Sequence, residues 1–501
     1  MRKTILLSLV LFTVSVSAQN HKSVIQSENE YYSKHQIQTA FKVESSSSFS
    51  TKVLGHSILS KSVFGFLPWW EYQAGTYKNI RFDLLTHIAV FSFAADSLGN
   101  LSNPPDWPWT DLMNSAIDNN VKLIATITNF DTQSVHRILT DIGVQNQLFS
   151  NIRNVLMPLG LSGVTIDFEN IADNDLKFAV INFLTALRDY LVKINPTVNY
   201  EISFATPAVG FSNWNYSALM EKCDYLFIMG YDFYGSWSTT TGPSSPLTGT
   251  NYNLTKSLSE DYGSVDPGKL ILGVPYYGNY WKTDAENPYV AVTQYDSTKQ
   301  NNNWQKFIYY RNLFPTYDQK EKLVDGISQT PWLRWKDTTW NQMWYDDSLS
   351  LAAKFDLAIQ KNLKGIGIWA LGYDDGRNEL WNLIFNKFGN PSSVQQTAQT
   401  SPIDFVLYQN YPNPFNPSTV ISYQLSAASY VQLKIYDALG REVTTLVNEY
   451  QQAGIHNSQF LASRDANRSG SINNSQLGSG VYFYTLTAGN HVQTRKMALM
   501  K

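Results

Sequence analysis

One cysteine, Cys223, is all that the 501 residues contain. It lies inside the apolar-rich stretch CDYLFIMGYD, where a thiol serves packing, and its solitude excludes a disulfide framework and a zinc cluster built on thiolates. Charge of one sign is equally scarce: 38 basic and 41 acidic residues leave a net charge of −3, with no long block of either. The basic field that nucleic acid or anionic lipid demands is missing, so no nucleic-acid partner is expected. No apolar run reaches the roughly 20 residues that cross a bilayer, so no stable membrane span is expected either. No cofactor or metal is called for. The longest apolar approach, Ile5 to Val14, follows Arg2 and Lys3 and precedes Val16-Ser17-Ala18, the pattern of an export signal over 1–18 cleaved before Gln19.

What is present begins with a polar stretch, 19–61, whose serine run Ser45 to Ser48 cannot bury enough apolar surface to fold alone and reads as a flexible tether. From Val63 on, β-branched and aromatic runs recur: SVFGFLPWW, LLTHIAVFSFA, VKLIATITNF, GVTIDFEN, VNYEISFATPA, DYLFIMGYD, KLILGVPYYG and GIGIWAL. Eight runs alternating with helical patterns such as DLKFAVINFLTALRDYLVKIN predict an α/β fold, a (β/α)8 TIM barrel over 62–390. A doubly wound sheet is the rival, weakened because no glycine-rich phosphate turn follows the first run. The seventh and eighth runs stand too far apart for an ordinary connection, which predicts a small α+β insertion at about 279–340. After a Ser/Thr/Gln/Pro linker at 391–404, alternating segments over 405–501 predict a small all-β sandwich.

The segment GVTIDFEN is unusual for a barrel strand. A period of two places Gly163, Thr165, Asp167 and Glu169 on one face and Val164, Ile166 and Phe168 on the other. With the apolar set against the helices, the polar set points into the barrel, where a lone charge is costly unless it lies at the C-terminal mouth. The bland alternative, a buried acid paired with Arg or Lys or a helix N-cap at Asp167, leaves the second acid needing its own partner. Two carboxylates so close separate their pKa values, one ionised and one protonated near neutrality, which is the equipment for glycosidic cleavage. Aromatic pairs at loop positions, PWW at 68–70 and GSW ending at Trp237, supply flat faces that suit sugar rings.

GVTIDFEN resembles the signature of the family 18 glycoside hydrolases, chitinases and their relatives. FIMGYDFYGSW is similar to the family's sixth strand, LILGVPYYG to its seventh, GIGIWAL to its eighth and LLTHIAVFSFAADSLGNL to its second. The resemblance implies Glu169 as proton donor, Asp167 as the residue that orients the substrate's N-acetyl group, and Tyr231 as donor to the acetamide carbonyl. Asp232, Met229, Trp237, Phe66 and Thr165 join them as substrate-binding positions, and Trp369 as the floor under the cleaved sugar. It also implies a secreted retaining hydrolase of β-1,4-linked N-acetylglucosamine polymers, chitin first and peptidoglycan or the N-glycan core second, acting by substrate assistance.

Departures from the pattern are Ser162 and Thr165, where the family has acids, and Thr128-Asn129, where it has paired glycines. Thr165 can hydrogen-bond Asp167 but cannot share a proton with it. A non-catalytic, lectin-like sugar binder is the alternative of another class. Such members replace the catalytic Glu, and Glu169 is present. The last 95 or so residues, with YQNYPNPFNPSTVISYQL and GSGVYFYTLTAGNHVQTRKMALMK, resemble the C-terminal sorting domains of type IX secretion. They imply that secretion machinery as a partner and a secreted or cell-surface location.

Overall fold

The computed structural model describes residues 22–34, 59–389 and 405–500, apart from 210–213, 236, 250, 294–305, 318–319, 408, 411–412, 426–428, 452–453, 463–476 and 490. The expected export signal, the serine run and the 391–404 linker lie outside the described residues.

Eight parallel strands form the barrel: β1 (Ser62–Pro68), β2 (His87–Ala95), β3 (Lys122–Asn129), β4 (Gly163–Phe168), β5 (Glu201–Pro207), β6 (Tyr225–Met229), β7 (Leu270–Pro275) and β8 (Gly365–Trp369). β8 pairs back to β1 and β1 to β2, which closes the ring. Buried on both faces, these strands read as nearly continuous apolar runs. All six residues of β4 are buried. At its start Gly163 permits a close strand approach, because a Cβ there would stand 2.1 Å from the Glu201 carbonyl oxygen. The helix Ala179–Ile194 turns Val180, Phe183, Leu184, Leu187 and Leu191 inward at helical spacing. Asp141 caps the helix Ile142–Leu159 by accepting from the Gly143 and Val144 N–H groups.

The barrel interior is an aromatic column. Phe66 packs on Phe227 at 4.9 Å and on Trp369 at 5.6 Å, and Phe91 meets Trp369 edge-on at 4.9 Å. Among the described residues the insertion is a five-stranded antiparallel sheet with one helix, Tyr310–Tyr317. It runs from Tyr277 to Trp344, wider than the expected 279–340. Its first strand starts two residues after β7 ends, and Trp340 opens its last strand rather than closing it. Trp332 and Trp344, stacked at 5.3 Å, build its own small core with Trp281.

Residues 22–34, expected to be tether, instead enter the barrel unit. They form the helix Val24–Lys34, which buries Val24, Ile25 and Glu28. The stretch is too polar to fold alone, but the barrel supplies the apolar surface that its one buried stripe needs. The C-terminal unit packs a three-stranded and a four-stranded antiparallel sheet around Ile421, Tyr423, Leu433, Tyr484 and Leu486. Cys223 is a buried free thiol, as its surroundings predicted. Among the described residues no helix is long and apolar enough to cross a membrane.

Candidate active site

β4 delivers the two acids. Thr128 and Asp167 are opposed across the β3–β4 ladder, and the Glu169 N–H extends it by donating to the Asn129 carbonyl at 3.0 Å. Asp167 is buried at 1% exposure, and its Oδ1 has no hydrogen-bond partner among the described residues. Glu169 lies one residue past the strand, half-buried at the wall of a cleft of about 310 Å³.

Beyond β6, Tyr231 and Asp232 face the same cleft, with Met229, Trp237 and Tyr252 along it. Asp232 takes the left-handed backbone conformation, φ 61°, which an Asp tolerates. The turn is held because the Asp232 N–H donates to Ser244 Oγ at 3.1 Å and the Tyr277 hydroxyl donates to Asp232 Oδ1. The Tyr231 hydroxyl is buried and unpartnered among the described residues.

Burial sets the electrostatics. It raises both members of the Asp167–Glu169 pair, and the charge of Asp167 raises Glu169 further, so Glu169 keeps its proton to the higher pH. Asp232 is pushed up to about 6 by burial, eased by the hydrogen bonds from Tyr277 and from the Val24 N–H. Burial also holds the Tyr231 hydroxyl well above its usual range, so it is a neutral donor. The cleft therefore offers a proton donor, a buried carboxylate and a hydroxyl donor within electrostatic reach of one another.

Six of the nine residues singled out in the sequence come together here: Glu169, Tyr231, Asp232, Met229 and Trp237 line the cleft, and Asp167 lies in electrostatic reach of Glu169 and Tyr231. Trp369 ends β8, fully buried on Phe66 and Phe91, and its indole N–H has no well-formed partner among the described residues. Phe66 and Thr165 do not line the cleft. Phe66 is buried against Trp369 at 5.6 Å. Thr165 is fully buried and shares a 2.7 Å hydrogen bond with Ser203 rather than the expected one with Asp167.

The N-terminal helix was missed altogether. The Ser23 hydroxyl donates to Glu169 Oε1 at 2.9 Å, and the Val24 N–H to Asp232 Oδ2 at 2.9 Å. The Tyr373 hydroxyl donates to Glu28 Oε2 at 2.6 Å, and the Trp69 indole N–H to Asn29 Oδ1 at 3.2 Å. The Tyr32 ring stacks on Trp70 at 5.1 Å. A signal was present: Ser23 and Gln26 have the spacing of a capping box, and the Gln26 N–H does donate to Ser23 Oγ at 3.0 Å.

Comparison with known proteins agrees with this geometry. Residues 62–374 match the model of glycosyl hydrolases family 18, and residues 409–500 match that of the secretion system C-terminal sorting domain. A cortical fragment-lytic enzyme of Bacillus subtilis is 26% identical over 324 residues, 61% of this chain and 68% of that protein. Endochitinase 1 of Metarhizium robertsii is 27% identical over 259 residues, 48% of this chain and 59% of that protein. The chain thus spans about three fifths to two thirds of the length of these curated relatives. Among solved structures, the spore cortex-lytic enzyme of Bacillus cereus superposes with a TM-score of 0.53 at 22% identity, covering 66% of this chain and 74% of that one. A chitinase of Cycas revoluta gives 0.56 at 16% identity, covering 65% and 99%. With more than half of its length matched by the family model, over the stretch that carries both acids, the chain belongs to the family 18 glycosyl hydrolases.

Proposed function

We propose that the protein is an exported, retaining hydrolase of β-1,4-linked glycans with N-acetylglucosamine at the cleaved position, working by substrate assistance. The observation that carries this reading is the pair of unpartnered buried groups, Asp167 Oδ1 and the Tyr231 hydroxyl, beside proton-holding Glu169. An acetamide has one N–H and one carbonyl, the complement of that acceptor and that donor.

Glu169 gives its proton to the glycosidic oxygen. The acetamide oxygen attacks the anomeric carbon as the bond to the leaving sugar breaks, forming a cyclic oxazolinium ion. Asp167 accepts from the acetamide N–H and offsets the positive charge that develops, and Tyr231 holds the acetamide oxygen. Water then opens the ring from the face the leaving sugar vacated, and the Glu169 carboxylate takes its proton. Configuration is retained, one of the recognised exceptions to the two-carboxylate scheme. Asp232 fixes the same sugar, and Trp369 floors it.

Chitin is the first substrate reading. Peptidoglycan is the second, favoured by the longer alignment with the cortical fragment-lytic enzyme. The export route, a signal peptide followed by type IX sorting through the C-terminal domain, is part of the same proposal and is supported by the sorting-domain match. The test is to incubate the full chain with chitooligosaccharides, colloidal chitin and peptidoglycan and to read the products by mass spectrometry and their anomers by NMR. Equal product release by the Glu169→Gln variant, or inverted product anomers, would sink the reading.

A further inference from the structure

We propose that residues 22–34 are a built-in inhibitor of the cleft. The segment seats its first turn on Glu169 and Asp232 and its Tyr32 ring on the aromatic wall, and glycan enters only when it leaves. This rests on the reading of Glu169 as the catalytic acid.

The helix is aimed at the chemistry rather than at the fold. The barrel closes through β1, β2 and β8 without it. Its first turn addresses the two acids instead: the Ser23 hydroxyl is on Glu169, and the free N–H of Val24 is on Asp232. A helix start carries unsatisfied N–H groups and a partial positive charge, and an acidic cleft satisfies both. Ile25, at 2% exposure, walls the cleft beside Ser23. About two turns on, Tyr32 lies flat against Trp70 at an interplanar angle of 15° and bonds the Tyr309 hydroxyl, covering the kind of face on which a sugar ring stacks.

The fit is also incomplete in a way that permits release. Gln26 Oε1 is buried without a partner among the described residues. On the barrel side Asp167 Oδ1 and the Tyr231 hydroxyl are equally unpartnered among the described residues. The helix covers these groups without satisfying them, so a ligand that pairs with them has an advantage the helix lacks. A segment serving only stability would leave fewer such groups open.

The test compares the full chain with one lacking residues 19–34. A fluorogenic chitobioside reports hydrolysis, and a peptide of residues 22–34, labelled beyond exposed Lys34, reports binding by fluorescence anisotropy. The shortened chain is expected to show kcat/KM at least about tenfold higher, and the peptide to bind it and to be displaced by chitooligosaccharide. Ile25→Asp in the full chain, which puts a charge into the buried contact, should give the same gain and serves if the shortened chain does not fold. Unchanged kcat/KM in both variants, absent peptide binding, or binding that chitooligosaccharide does not displace would overturn the proposal. Peptide binding displaced by sugar, with no hydrolysis by any form, would uphold the inhibitor and sink the hydrolase reading instead.

Discussion

The Ser23 hydroxyl stands 2.9 Å from Glu169 Oε1, 146 residues away in sequence, and the same oxygen accepts the Gln26 N–H that starts the helix. One atom therefore both caps the helix and engages the acid on which the proposed chemistry depends. The consequence is that changes in the first helical turn and changes at Glu169 report on the same site.

Glu169→Gln should reduce turnover of chitooligosaccharide at least about a hundredfold, the scale of a lost general acid. Its melting temperature should match the parent's or exceed it, because an amide replaces a half-buried carboxyl that resists ionising and can still accept from Ser23. Calorimetry and product analysis on one preparation check both halves. A variant that lost turnover by unfolding would show a lowered melting temperature instead.

The seating of residues 22–34 should weaken as pH rises. Glu28 is pushed from 4.5 up to about 8 in the cleft, since burial outweighs the hydrogen bonds from Tyr373 and Tyr309 and the nearby Trp369. Glu71 adds repulsion, although Arg311 is ion-paired to it at 2.8 Å. A carboxyl raised on docking binds a proton as it docks. Its contribution is fully present below 4.5, falls by about tenfold in affinity per pH unit above that, and is gone above about 8. The Ser23 and Val24 hydrogen bonds lower Glu169 and Asp232 instead, so the Glu28 slope is read as a difference between two peptides that share those contacts. Glu28→Gln in the labelled peptide should lower the slope of log affinity against pH by about one over that window. Anisotropy titrations at several pH values decide it, and equal slopes for the two peptides would remove Glu28 from the account.

The barrel was legible because its strands are buried on both faces and so appear as apolar runs whose order can be counted. The two-residue period also put Asp167 and Glu169 on one face, and the structure holds the two acids in electrostatic reach of each other. Depth along the strand was not legible from that period. Thr165 and Phe66 are buried in the barrel interior and do not line the cleft, a position where inward means packed rather than accessible. Residues 22–34 were lost for a different reason: composition predicts whether a segment folds alone, and this helix is stable only against a surface made by residues far along the chain. The Ser23–Gln26 spacing, with Val24, Ile25, Glu28 and Tyr32 on helical spacing, was the one local trace.

Thr165 marks the chain's departure from the acid expected there, and its hydrogen bond predicts a structural role. Thr165→Val keeps the shape but leaves Ser203 Oγ without this partner in the barrel interior. The expected loss is about 1–3 kcal/mol of unfolding free energy, read from urea titration. The pH profile of kcat/KM should stay in place, because the Thr165 hydroxyl bonds Ser203 rather than Asp167. A displaced acid limb with unchanged stability would show instead that the hydroxyl tunes the catalytic pair.

Deleting residues 405–501 separates catalysis from export. The barrel and the C-terminal sheets have distinct apolar cores, so removing one leaves the packing of the other complete. Hydrolysis per molecule and the melting temperature of the barrel should therefore be unchanged in the truncated protein. If the sorting domain directs passage across the outer membrane, the truncated enzyme should accumulate in the periplasm while the full chain reaches the surface or the medium. Cell fractionation followed by the fluorogenic assay measures this, and normal release of the truncated enzyme would refute the sorting role.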